Sequence, residues 1–236
     1  MSENYAQESY AMTDWLGDPR HAEPCGAFPA DAERVSHTGL VAWHGDAFAE
    51  NLVELSVGDG EGVLFVEQVG AVSARTARAS GATLQSRILR VQLHGSTQAS
   101  TFRRSLAALL WKELDLRCTR PRTLDAESNA RLTAWMLEHL RVATFPVDDR
   151  RRLKQLESDA VRRLDPVLNL ADVANTPGRR QLRALRRKHL SVSGADVERI
   201  ERLLKLHAAA SAGGEGSDFL RRRLEHEQRR LAAQSG

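Results

Sequence analysis

Residues 153–164 read Leu153-Lys154-Gln155-Leu156-Glu157-Ser158-Asp159-Ala160-Val161-Arg162-Arg163-Leu164. Leu153, Leu156, Ala160, Val161 and Leu164 recur at helical spacing, which predicts an amphipathic helix laying one apolar stripe on a core. Asp148 or Asp149 is placed to cap its start, and Asp165-Pro166 stops it. Glu157 lies inside the stripe, one turn after Leu153 and one turn before Val161. A carboxylate there must be paired, must bind a metal, or must sit where the stripe reaches a cleft. The pattern leaves those three readings open.

Working outward, Gly39-Leu40-Val41-Ala42-Trp43 and Gly62-Val63-Leu64-Phe65-Val66 are short apolar runs separated by a turn-rich stretch, the pattern of an antiparallel pair. Arg141–Val147 reads as a third strand. Leu84, Ile88 and Val91 mark one face of a helix. A second helix starts at Ser100 or Thr101, either able to cap it, with Phe102, Leu106, Leu109 and Leu110 inward. A third runs through Leu132, Trp135, Met136 and Leu140 after a loop carrying Pro121. The expected fold is α/β of the α+β kind: a small three-stranded antiparallel sheet flanked by helices, plus C-terminal helices.

Residues 1–36, with Pro19, Pro24 and Pro29, read as a loosely structured leader. Residues 37–190 form the expected domain, and 194–236 a helical appendage split by Gly213-Gly214-Glu215-Gly216. Its stripes Ile200, Leu203, Leu204 and Phe219, Leu220, Leu224 need a partner surface, either the domain or a second copy in a homo-oligomer.

With 42% hydrophobic and 28% charged residues among 236, the chain reads as one ordinary soluble domain with an appendage. The start lacks a basic region followed by an apolar run, and no apolar stretch approaches bilayer length, so no secretory signal and no membrane association are expected. Two cysteines, Cys25 and Cys118, cannot make a disulfide framework or a zinc site by themselves, and fit a reduced cytoplasm. The net charge of +3 is mild, but Arg179, Arg180, Arg183, Arg186, Arg187 and Lys188 crowd one helix. Such a cluster is either a solvated face or a holder of phosphates.

The order Glu157, then the pair Ala160-Val161, then Pro166 nine positions on and Asn169 three later resembles the closing motif of GIY-YIG nucleases. Leu84-Gln85-Ser86-Arg87-Ile88 is similar to the family helix whose arginine contacts the scissile phosphate. Gly39-Leu40-Val41 and Phe65-Val66-Glu67 stand where the two signature tripeptides belong. A broader likeness to a bacterial subgroup of the family covers about residues 38–189, including a long insert from Val69 to Leu84.

The resemblance implies a metal-dependent endonuclease acting on phosphodiester bonds in nucleic acid, with DNA the expected partner. Glu157 would hold one divalent ion, Mg²⁺ or Mn²⁺. Arg87 would clamp the phosphate and Asn169 would be a supporting polar residue. Arg103, Arg104, Arg183 and Arg186 would bind the flanking backbone. The chain departs from the pattern at the signature strands. Val41 and Phe65 stand in place of tyrosines, and Glu67 in place of a glycine. Val91 or Gln92 falls where a tyrosine or histidine is often found, and nearby His94 reads as an incidental surface residue. The departures imply the alternative of a catalytically degenerate module that binds nucleic acid or a partner protein without cutting.

Overall fold

The computed structural model describes residues 3–28, 37–45, 62–73 and 76–191, with scattered positions between 199 and 229. Three long strands, β2 (Gly39–Gly45), β3 (Val63–Val69) and β6 (Leu140–Pro146), and the two-residue β1 (Glu23–Pro24) form an antiparallel sheet in the order β1-β6-β2-β3. A hairpin of β4 (Cys118–Arg120) and β5 (Thr123–Leu124) stands apart. Among the described residues six helices of eight residues or more surround them: α1 (Glu3–Gly17), α2 (Ser86–Leu93), α3 (Thr101–Leu109), α4 (Ala126–His139), α5 (Leu153–Leu164) and α6 (Pro177–Leu190). The mixed α/β class matches the expectation, with a fourth short strand added at the β6 edge.

Alternation along the strands divides the core into two layers. Val41, Trp43, Phe65, Val69 and Val142 face Ile88, Phe102, Leu106, Met136 and Leu182 from α2, α3, α4 and α6. Leu40, Ala42, Val66 and Ala143 face Met12, Leu16, Leu153, Leu156 and Val161 from α1 and α5. Gly70, at φ 91°, turns the chain out of β3, where a Cβ would fall 2.2 Å from the Thr38 methyl, so only glycine fits.

Residues 3–28 correct the loosely structured leader. Met12 and Leu16 are fully buried on α1, and each apolar side chain removed from water contributes roughly 1.5–3 kcal/mol. Tyr5 donates to Asp159 of α5 at 2.6 Å, Arg152 pairs with Glu8 at 2.5 Å, and the Trp15 indole donates to the Thr144 carbonyl at 3.1 Å. Of the prolines that suggested looseness, Pro19 and Pro24 lie after this helix, at a short 3-10 turn and at β1, and Pro29 lies outside the described residues. Ser100 caps α3, accepting from the Arg103 N–H. Neither Asp148 nor Asp149 caps α5; Asp149 closes the turn before it, accepting from the Arg151 N–H.

The described positions beyond 198 are helical, but Ile200, Leu204, Phe219, Leu220 and Leu224 lie outside the described residues, as do 29–36 and 46–61. No described helix is long and apolar enough to cross a membrane.

Candidate active site

β3 is an edge strand, so the backbone groups on its outer side need partners. They find them in the segment that the sequence singled out. The Leu168 N–H donates to the Leu64 carbonyl at 2.8 Å. Asn169 accepts from the Val66 N–H through Oδ1 and donates to the Val66 carbonyl through Nδ2, both at 2.9 Å, standing in for a neighbouring strand. Two residues on, the Gln68 N–H donates to Oε1 of Glu157 at 3.1 Å. The spacing Glu157, Pro166, Asn169 is therefore the geometry of an edge cover. α5 ends at Asp165, whose left-handed conformation (φ 41°) turns the chain, and buried Pro166 directs it back along β3. Arg179 locks this corner, donating to Asp165 Oδ1 at 2.7 Å and to the Pro166 carbonyl at 3.2 Å.

Beside this edge lies a cleft of about 380 Å³, lined by Phe65, Glu67, Arg87, Thr101, Glu157, Asn169 and Arg186 among others. It opens where the two layers meet, so Glu157 enters from the helix under one face of the sheet and Arg87 from the helix over the other. The stripe reaches a cleft, which is one of the three readings left open for Glu157. Burial raises the Glu157 carboxyl above its ordinary range; the Gln68 hydrogen bond opposes the shift, while the nearby charges of Glu67 and Asp172 add to it. Among the described residues no arginine or lysine forms an ion pair with it, and its second oxygen accepts no hydrogen bond.

Arg87 is paired instead with Glu67, Nε to Oε2 at 2.7 Å. Glu67 also accepts from Gln92 at 2.6 Å, and Gln92 accepts from the Ser100 hydroxyl. Arg87 and Gln92 are five residues apart, too far round an α-helix to share a target. The π winding of α2, seen in the His94 N–H donating to the Leu89 carbonyl five residues back at 2.8 Å, turns both toward Glu67. The Glu67 carboxyl is raised by burial, with Arg87 and then Gln92 pulling it down. The terminal nitrogens of Arg87 have no acceptor among the described residues, and the side chain remains 34% exposed.

The signature positions diverge. Phe65 lines the cleft and stacks on Phe102 at 5.0 Å. Val41 is sealed in the core. His94 is exposed and does not line the cleft.

The four arginines expected to bind the backbone separate as well. Arg103 is a correction: it has no exposed surface, and its guanidinium donates to the Gln92 and Leu93 carbonyls at 2.8 and 2.7 Å and to Asn129 Oδ1 at 2.9 Å. It ties α2 to α3 and α4 and cannot touch a ligand. Arg183 is half-buried and ties down residues 170–175, donating to the Leu170 carbonyl and to Asn175 Oδ1. Arg104 is half-buried, and Arg186 lines the cleft.

Sequence reasoning missed Glu67 as Arg87's partner, and it missed Gln92. A signal was present for the first. Glu67 alternates with Phe65 and Val69 on the core face of a strand, and an acid there demands a partner for the same reason as Glu157 in its stripe.

Among the described residues no group of three His, Cys, Asp or Glu side chains is arranged to hold a metal ion. A hydrated hard cation held by one carboxylate needs no such group. No curated protein matches the chain, and no solved structure does. A family model described as the GIY-YIG catalytic domain matches residues 70–188, just over half of the chain, starting one residue past β3 and taking in Arg87, Glu157 and Asn169. The degenerate strands and α1 fall outside the match, and α2 to α5, most of α6 and the edge-covering motif fall inside it. The chain belongs to the GIY-YIG nuclease superfamily.

Proposed function

We propose that the chain is a metal-dependent endonuclease that hydrolyses phosphodiester bonds in nucleic acid, with DNA as the substrate. One observation carries the reading: Glu157 and Arg87, brought from opposite faces of the sheet, line a single cleft in which the acid has no cationic partner among the described residues. A desolvated carboxylate with one oxygen uncommitted is what a divalent cation neutralises, and Mg²⁺ or Mn²⁺ with its remaining waters suits a site of one protein ligand. When bound, such an ion polarises the phosphodiester and stabilises the leaving oxygen.

The chain's own residues supply the rest. Glu67 holds Nε of Arg87, leaving the terminal nitrogens of the guanidinium to meet charge that builds on the phosphate. Asn169 fixes the strand that carries Phe65 and Glu67. The signature strands offer no hydroxyl to position or deprotonate water, and loss of a general base lowers rates by ~10²–10⁴-fold. Slow turnover is the expectation.

Purified protein with Mg²⁺ or Mn²⁺ should nick plasmid or branched DNA, and Glu157→Ala should bring nicking to background. Equal cutting by the two preparations would remove the catalytic assignment. Sealed Val41 and hydroxyl-free Phe65 favour a second reading, a degenerate module that binds nucleic acid without cutting. It predicts retained, steeply salt-dependent affinity and no cleavage with any divalent metal.

A further inference from the structure

Three arginines near the cleft have guanidinium groups without a hydrogen-bond or ion-pair partner among the described residues. Arg104 projects from α3 and Arg186 from α6, two helices packed on each other, and Arg122 sits at the β4–β5 turn. The Arg122 backbone is fastened on both sides: its N–H donates to the Leu190 carbonyl at 2.7 Å, and its carbonyl accepts from the Thr97 hydroxyl at 2.9 Å. Its residue conformation is left-handed, at φ 63°. The turn is thus rigid through its main chain, and the exposed Arg122 side chain plays no part in holding it.

None of the three guanidinium groups forms an ion pair or donates a hydrogen bond among the described residues. Arg103 and Arg179 show how this chain treats an arginine it uses for folding, surrounding each with carbonyl and side-chain oxygens. The three repel one another. Burial and then the charges of Arg104, Arg122 and Arg183 push Arg186 down to about 10, and burial and then Arg122 push Arg104 down. Like charges gathered without a counter-charge cost stability, and an anion removes that cost.

We infer that Arg104, Arg122 and Arg186 form a second phosphate-binding site, which grips a backbone phosphate of nucleic acid flanking the one at Arg87. Guanidinium forks match phosphate oxygens in pairs. Arg186 also lines the cleft that holds Glu157 and Arg87, so a strand entering the cleft continues directly onto the cluster. The site rests on the nucleic-acid reading above but not on turnover. It leaves out buried Arg103 and Arg183, which is tied to Leu170 and Asn175, and adds Arg122, whose position no sequence pattern signals.

The test measures binding of a labelled DNA duplex in EDTA across a salt series, comparing wild type with Arg122→Gln and with Arg104→Gln/Arg122→Gln. Arg122→Gln should weaken Kd by about tenfold, the size of one charge-assisted hydrogen bond. It should also lower the slope of log K against log salt by about 0.9, one phosphate's share. Its Tm should equal or exceed the wild-type value, because repulsion is relieved, and inorganic phosphate should raise Tm more in wild type than in the variant. Unchanged affinity and slope in both variants, or a lower Tm with an unchanged slope, would overturn the site. If that happens while Glu157→Ala abolishes nicking, the cutting centre stands alone. If Glu157→Ala nicks like wild type while Arg122→Gln loses slope, the phosphate site stands and the cutting centre falls. Wild-type protein with no affinity for DNA at moderate salt would overturn both.

Discussion

At the floor of the cleft Glu67 accepts from Arg87 and Gln92, and Gln92 leads on through Ser100 to the start of α3. At its rim Glu157 accepts one backbone N–H and nothing else among the described residues. Both carboxyls are pushed above their ordinary range by the same cause, removal from water. The fold answers the first with a guanidinium and gives the second no cationic partner among the described residues. An acid with its charge matched can serve as a positioning device, whereas an unmatched acid in the same cleft is open to a ligand.

The sharpest way to break this contrast is to remove the partner of the floor acid. Arg87→Ala strands Glu67, and urea unfolding should show a loss of about 3 kcal/mol, near the low end for a broken buried pair because Arg87 is partly exposed. Replacing both, as Glu67→Leu/Arg87→Met, should recover most of that loss. A single variant as stable as wild type would mean the pair contributes nothing. Glu157→Gln should be neutral or slightly stabilising in the same experiment, since its amide oxygen can still accept from Gln68.

A smaller effect is expected where the edge cover is undone. Asn169→Ala leaves the Val66 N–H and carbonyl without partners, and about 1–3 kcal/mol should be lost. Hydrogen exchange at Val66 should rise before that at Ala42 on the central strand. Equal acceleration at both would show that Asn169 does not act through the edge.

The smallest effect is the most diagnostic of the two acids. A carboxyl whose folded pKa exceeds its unfolded value binds more protons in the folded state, so its contribution falls as pH rises from the ordinary glutamate range through the raised value. Wild-type Tm should drift downward over that window. Glu157→Gln should flatten part of the drift, and millimolar Mg²⁺ should flatten the same part in wild type, since a cation favours the ionised form. Mg²⁺ acting equally on wild type and Glu157→Gln would place the cation elsewhere.

The same division runs through what was legible in the chain. The stripe on residues 153–164, the three apolar strand runs and the Ser100 cap all follow from local periodicity and capping chemistry, and the structure has them. α1 was missed because its hydrophobic pattern is weak and its helix is stabilised by α5 and β6, not by its own sequence. Arg103 and Arg104 are adjacent on one helix and look alike in sequence, yet the terminal nitrogens of one donate to backbone carbonyls and those of the other have no acceptor among the described residues. Arg179 likewise sits in a basic run but serves the Asp165-Pro166 corner.

Periodicity of side chains along a segment needs only neighbours in the chain, which is why helices, strands and the odd acid in a stripe could be read from residues alone. Which charge meets which counter-charge depends on the register of β3, the π winding of α2 and the corner at Asp165, all of which are long-range. Whether an arginine is committed to the fold or left open is settled by the few ångströms between its guanidinium and the nearest oxygen, and that distance exists only once the chain has folded.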